Sequence, residues 1–204
     1  MILYRPVGLE ELRLIYDTEM LAFPPRLEEQ PIFYPVLNFE YAAQIAKDWN
    51  TKSRPYAGYV TEFNVDDGYI SQFEVKTVGN RTHQELWVPA EELQTFNESI
   101  IGKIRVTAAF FGAQFEGHIP QQHGLRLRNA IEQFIGLTKV LELSPPDFNA
   151  EIKANHTTIY LNFPFWEQHD FSLEGISSTE KTRSLSAIQQ SWQENQMPIP
   201  LMTL

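Results

Sequence analysis

The sequence predicts an α+β protein, a mixed chain with strands concentrated in the first half. Three observations predict it. Short runs of β-branched and aromatic residues recur up to about residue 111. Apolar residues at helical spacing interrupt them near residues 9 to 16 and 39 to 49. Beyond Gly112, Gly117 and Pro120 the pattern changes, which places a division near residue 115. The organisation expected is a first domain over 1–114 and an α+β extension over 115–204.

The elements follow in order. Ile2, Leu3 and Tyr4 read as a first strand running into Arg5-Pro6. Gly8 opens a helix with Leu9, Leu12, Ile15 and Tyr16 on one face. Its Glu10 and Glu11 suit the positive end of the helix dipole. Phe23-Pro24-Pro25-Arg26-Leu27 is an ordered loop, because two prolines fix φ and remove donors. Ile32-Phe33-Tyr34 is a second strand stopped by Pro35. Asn38 caps a helix over 39–49. Strands are expected over 58–65, 69–78 and 85–88, with Val78-Gly79-Asn80-Arg81 as a turn. A short helix over 91–96 leads into a strand-like run over 100–111, with Gly102 at a turn. In the second part a helix over 125–143 ends at Ser144-Pro145-Pro146. A hairpin is expected over 148–153 and 157–166, turning at Ala154-Asn155-His156. A last helix spans 179–193, with Thr179 or Ser178 as its cap.

Composition narrows the chemistry. Of the 204 residues, 43% are hydrophobic and 13% aromatic, ample for a packed core. There is no cysteine, so disulfides, thiolate metal sites and a cysteine nucleophile are excluded. The formal net charge of -10 disfavours a general nucleic-acid surface. No signal peptide and no run approaching ~18 apolar residues is visible, so the expectation is a cytoplasmic protein without a membrane partner.

Several side chains are candidates for chemistry. Glu85 enters an apolar strand ended by Pro89, where it points into a cleft or sits outward on an edge. Arg5 has the side chain best suited to a pyrophosphate, or is an ordinary surface arginine. Arg26, in the double-proline loop, is a second phosphate candidate. Tyr4, Phe33, Tyr34 and Trp49 offer stacking surfaces, with core packing the ordinary reading for Phe33 and Trp49. Alternation puts one of Phe33 and Tyr34 outside the core. The five histidines have no metal-site spacing, so no metal is expected. Trp166 and Trp192 look exposed and suited to a protein partner.

Four segments carry a resemblance. They are Leu3-Tyr4-Arg5-Pro6-Val7-Gly8, Ala22-Phe23-Pro24-Pro25-Arg26-Leu27, residues 30–38 from Gln30-Pro31 to Asn38, and residues 85–93 beginning Glu85-Leu86-Trp87. Together they resemble a group of small bacterial proteins labelled ADP-ribosylation/crystallin J1, over about residues 3 to 111. The paired-aspartate metal motifs of the all-helical ADP-ribosyl glycohydrolases are absent. The element order resembles instead the ADP-ribosyltransferase fold, a split β-sheet with peripheral helices. There an Arg or His ends the first strand, a Ser, Thr or Tyr lies on a second strand before a helix, and a Glu lies on a later one. Arg5, Tyr34 and Glu85 take those places. The residue two before the glutamate, usually acidic or Gln, is His83.

The resemblance implies NAD as substrate and transfer of ADP-ribose to an unknown acceptor, with a protein among the candidates. Glu85 and Tyr34 would be catalytic. Arg5, Tyr4, Arg26 and Asn38 would hold the dinucleotide. The alternative it leaves open is a binding module that keeps the fold without catalysis.

Overall fold

The computed structural model describes residues 1–202, and the chain divides into two compact units, Met1–Phe115 and Glu116–Leu204.

The first unit contains β1 (Ile2–Val7), α1 (Leu9–Asp17), β2 (Ile32–Phe33), α2 (Phe39–Asp48), β3 (Ala57–Val65), α3 (Asp67–Ile70), β4 (Val75–Thr77), β5 (Gln84–Leu86), β6 (Val88–Pro89), α4 (Leu93–Glu98) and β7 (Ile100–Phe111). All pairings are antiparallel. β3 lies between β1 and β7, while β4 pairs with β5. Two single-residue bridges join these parts: Val36 pairs with Tyr4 on one side and with Glu85 on the other. The result is one sheet in two portions that meet at Val36.

Prolines explain why the join is so short. Tyr4 and Val36 exchange both backbone hydrogen bonds, at 2.9 and 2.7 Å. The next bonded pair in an antiparallel ladder falls two residues along, at Pro6 and Tyr34. Pro6 has no N–H to give. The Tyr34 carbonyl instead accepts a hydrogen bond from Nη1 of Arg5, at 3.4 Å. A side chain thus substitutes for the backbone donor that proline lacks.

Both faces of β3 are covered, and Ala57 through Thr61 are buried. On one face Leu3, Val7, Leu12 and Ile15 are buried, beside an aromatic group built from Phe23, Phe33, Phe63 and Phe96. On the other face α2 presses Tyr41, Ala42 and Ala46 against Val36 and Val60. A Cβ on Gly58 would stand 2.1 Å from the Ala46 carbonyl oxygen, so glycine permits this close approach of helix and strand. Asn38 caps α2 as the sequence predicts, its Oδ1 accepting from the Tyr41 amide at 2.9 Å. Replacing Asn38 with alanine is expected to cost about 1 to 2 kcal/mol, seen as a lower Tm in thermal unfolding.

The first unit corrects three expectations. Residues 69–78 do not form one strand. Asp66 caps a single helical turn, α3, by accepting from the Tyr69 amide, and only Val75–Thr77 is extended. Gly102 does not break the strand over 100–111. It takes φ +82° inside β7, beside a register shift, where glycine tolerates the bulge. Trp49 is 65% exposed rather than core, because it is the residue at which α2 ends.

The second unit is helical: α5 (Ala130–Leu143), α6 (Pro145–Ala154), α7 (His156–Gln168) and α8 (Ser178–Glu194). α5 starts five residues later than the periodicity predicts, because Asn129 and Glu132 form a reciprocal capping box. Ser177 and Glu180 do the same for α8, so Ser177 is the cap, not Ser178 or Thr179.

The expected hairpin is absent, and residues 148–166 belong to two helices. Pro145 and Pro146 stand at the first positions of α6, where their missing N–H groups cost nothing. In α7, Thr158 through Trp166 are all buried. A helix surrounded on every side has no polar stripe, and its β-branched and aromatic residues then imitate a strand. Trp166 and Trp192 are likewise buried, at 0% and 3% exposure, and each indole donates to a carbonyl, of Ala130 and Ile199 respectively. They offer no docking surface.

Candidate functional site

Register decides which side chains meet. Tyr4, Val36 and Glu85 are paired across three adjacent strands, so their side chains share the sheet face covered by α2. Trp87 lies two residues beyond Glu85, on the same side. Its indole Nε1 donates to Glu85 Oε1 at 2.7 Å. The Tyr41 hydroxyl lies within electrostatic reach of the same carboxylate. Burial first, then this carboxylate, raises the Tyr41 pKa above its ordinary value. The indole donor therefore holds the carboxylate and leaves lone pairs for a ligand hydroxyl.

Aromatic rings flank this group. Tyr34 stands edge-on to Trp87 with ring centres 5.9 Å apart. They are 38% and 46% exposed, so both present ring surface to solvent beside a carboxylate. Phe33, next to Tyr34, is fully buried, as strand alternation requires. His83 stacks on Tyr41 at 4.3 Å, and its Nε2 lies 3.2 Å from Gln44 Oε1. These residues, with Ile45, Trp49 and Val78, line a small cavity of about 220 Å³.

Tyr4 sits on the same face but is occupied. Its hydroxyl lies within electrostatic reach of Glu62, and its ring meets the edge of Phe39 at 6.1 Å. Burial and then Glu62 raise its pKa. Both ends of the Asn38 amide are also spent. Oδ1 caps α2, and Nδ2 donates to the Thr82 carbonyl at 2.6 Å, tying the turn before β5 to the start of the helix. Asn38 thus positions the strand that carries Glu85.

Arg5 is one residue from Tyr4 and belongs to the opposite face. It is neither an ordinary surface arginine nor an open clamp. It is only 7% exposed, with its Nε 2.8 Å from Glu11 Oε1 and its Nη2 3.3 Å from Glu11 Oε2. The guanidinium lies 4.5 Å over the Phe33 ring. With the bond to the Tyr34 carbonyl, three of its five donors have protein partners. The arrangement is that of a scaffold cation that fixes the backbone of Tyr34. Arg26 completes this charge group. Its Nη2 donates to Gln30 at 2.8 Å, and its Nη1 is 3.9 Å from Glu11.

The sequence points to Glu85, Tyr34 and Arg5 but not to Trp87 and Tyr41 beside the first or to Glu11 beside the last. The spacing of Glu85 and Trp87 was a usable signal, since residues two apart share a strand face. Nothing local in the sequence pairs Tyr41 with Glu85 or Glu11 with Arg5.

Among the described residues, no group of three His, Cys, Asp or Glu side chains could hold a metal ion. Among them, too, no helix is long and apolar enough to cross a membrane. No family model matches the chain, and no curated protein or solved structure matches it.

Proposed function

We propose that the first unit is an ADP-ribosyltransferase-like domain that consumes NAD, with Glu85 as its catalytic carboxylate. One observation carries this reading: Glu85 is held by the Trp87 indole beside the exposed rings of Tyr34 and Trp87. The sheet in two portions meeting at Val36 supports it as well.

The chemistry suits those groups. When the bond between ribose C1′ and the nicotinamide nitrogen breaks, its electron pair leaves with a neutral nicotinamide. Positive charge develops on the sugar, and a fixed carboxylate stabilises it more than it stabilises the ground state. Glu85 hydrogen-bonds a ribose hydroxyl and faces that charge. The Tyr34 ring holds the flat nicotinamide. The acceptor's oxygen or nitrogen then bonds to C1′ and passes its proton to solvent water. Arg5 acts as a positioning residue, holding Tyr34 through its carbonyl.

A second reading is a binding module that takes up the same ligand without turnover. The internal engagement of both Arg5 and Glu85 favours it. Both readings expect NAD to bind, and Tyr34→Ala to weaken binding about tenfold in a calorimetric titration, the worth of one stacked ring. Equal affinity in the variant and the parent would contradict both. Binding without nicotinamide release selects the second.

A further inference from the structure

A groove of about 810 Å³ opens among α1, the double-proline loop and α4, and none of its lining residues belongs to the Glu85 cluster. Leu14, Phe23, Pro24, Pro25 and Leu93 make it apolar, and Arg26 is part of its wall. The volume lies in the range of small-molecule sites, roughly 300 to 1,000 Å³. Two consecutive prolines give the wall a fixed backbone.

The charge balance beside it is incomplete. Two guanidinium groups, Arg5 and Arg26, share one carboxylate, Glu11. Arg5 takes both oxygens of Glu11 at hydrogen-bond range, while Arg26 comes no nearer than 3.9 Å. The Arg26 side chain is only 11% exposed, its hydrogen-bond partner is the neutral Gln30, and its Nε is buried with no acceptor. Its pKa is lowered by burial first and by the nearby Arg5 second. A buried cation without its own anion is costly, and an incoming anion offsets that cost.

We propose that this groove binds a small monocarboxylate with an apolar tail, its carboxylate on Arg26 and its tail along Leu14, Phe23 and Leu93. The lining acids restrict the charge of the guest. Asp17, Glu91 and Glu98 also line the groove, and of these only Asp17 has a cation beside it, Arg13, which it shares with Glu10. Two uncompensated carboxylates repel a second negative charge on the guest, so a single carboxylate suits the groove better than a phosphate or a nucleotide. The inference is independent of the NAD reading.

Calorimetric titration with octanoate, octanol, octylamine and octyl phosphate on the full chain tests it. Octanoate should bind tightest. Arg26→Gln should weaken octanoate at least about tenfold, the worth of a charge-assisted hydrogen bond, and Arg26→Lys should lose less. Leu14→Gln, at a position 39% exposed and therefore safe for folding, should weaken it several-fold. Glu85→Gln should leave octanoate affinity unchanged, which separates this site from the proposed NAD site. The proposal is overturned if octanoate does not bind, if octanol or octyl phosphate binds as tightly, or if folded Arg26→Gln keeps full affinity. Should Arg26→Gln fail to fold, the octanoate and octanol comparison and Leu14→Gln still decide.

Discussion

Replacing Glu11 with alanine is expected to destabilise the first unit by about 3 kcal/mol, at the lower end of what breaking a buried ion pair costs. The lower end applies because the Glu11 side chain is 23% exposed, so water reaches part of the vacated space. Arg5 would remain buried over Phe33 with no carboxylate, and Arg26 would lose its nearest anion. The Arg5 bond to the Tyr34 carbonyl would be the main tie left to that guanidinium. Faster hydrogen exchange in β1 is the measurement. The double variant with methionine at both Arg5 and Glu11 should recover much of the loss, since a well-packed apolar pair often matches a buried salt bridge. An unchanged exchange rate in Glu11→Ala would show that Arg5 does not depend on this carboxylate.

Trp166→Ala is expected to cost the second unit about 4 kcal/mol. The indole is fully buried, packs 5.7 Å from Phe134 between ring centres, and donates to the Ala130 carbonyl at 2.8 Å. Truncation leaves a large cavity and removes the indole hydrogen bond to that carbonyl. Trp166→Phe keeps most of the volume and should cost clearly less. Denaturant unfolding reads both. A loss under about 1 kcal/mol for the alanine variant, the size of an ordinary surface change, would contradict the central place of α7.

Local signals were legible in the sequence where one short segment settles the structure. Asn38 before an apolar helical face, Gly8 before Leu9 and the alternation of Phe33 and Tyr34 all lead to the observed arrangement. The signal failed where burial was decided from far along the chain. Ile159, Leu161, Phe163 and Phe165 alternate like a strand, yet Tyr160, Asn162 and Pro164 between them are buried too. No single-sequence period distinguishes a fully enclosed helix from a strand.

The candidate site divides in the same way. Glu85 and Tyr34 were legible as a carboxylate on one short strand and a ring just beyond another. The one-residue strand at Val36 was not, because it depends on Pro6 being unable to donate and on Arg5 reaching the Tyr34 carbonyl instead. That same contact turns Arg5 from an expected diphosphate clamp into a buried scaffold cation.

Release of nicotinamide from NAD by the purified chain reads out whether Glu85 acts on the ribose of bound NAD. Measurable release by the parent protein is expected, with loss of at least about a hundredfold in Glu85→Gln and NAD affinity largely kept, as removal of a group that acts in the transition state requires. Equal release by the parent and the folded Glu85→Gln variant, or none by either, would contradict it.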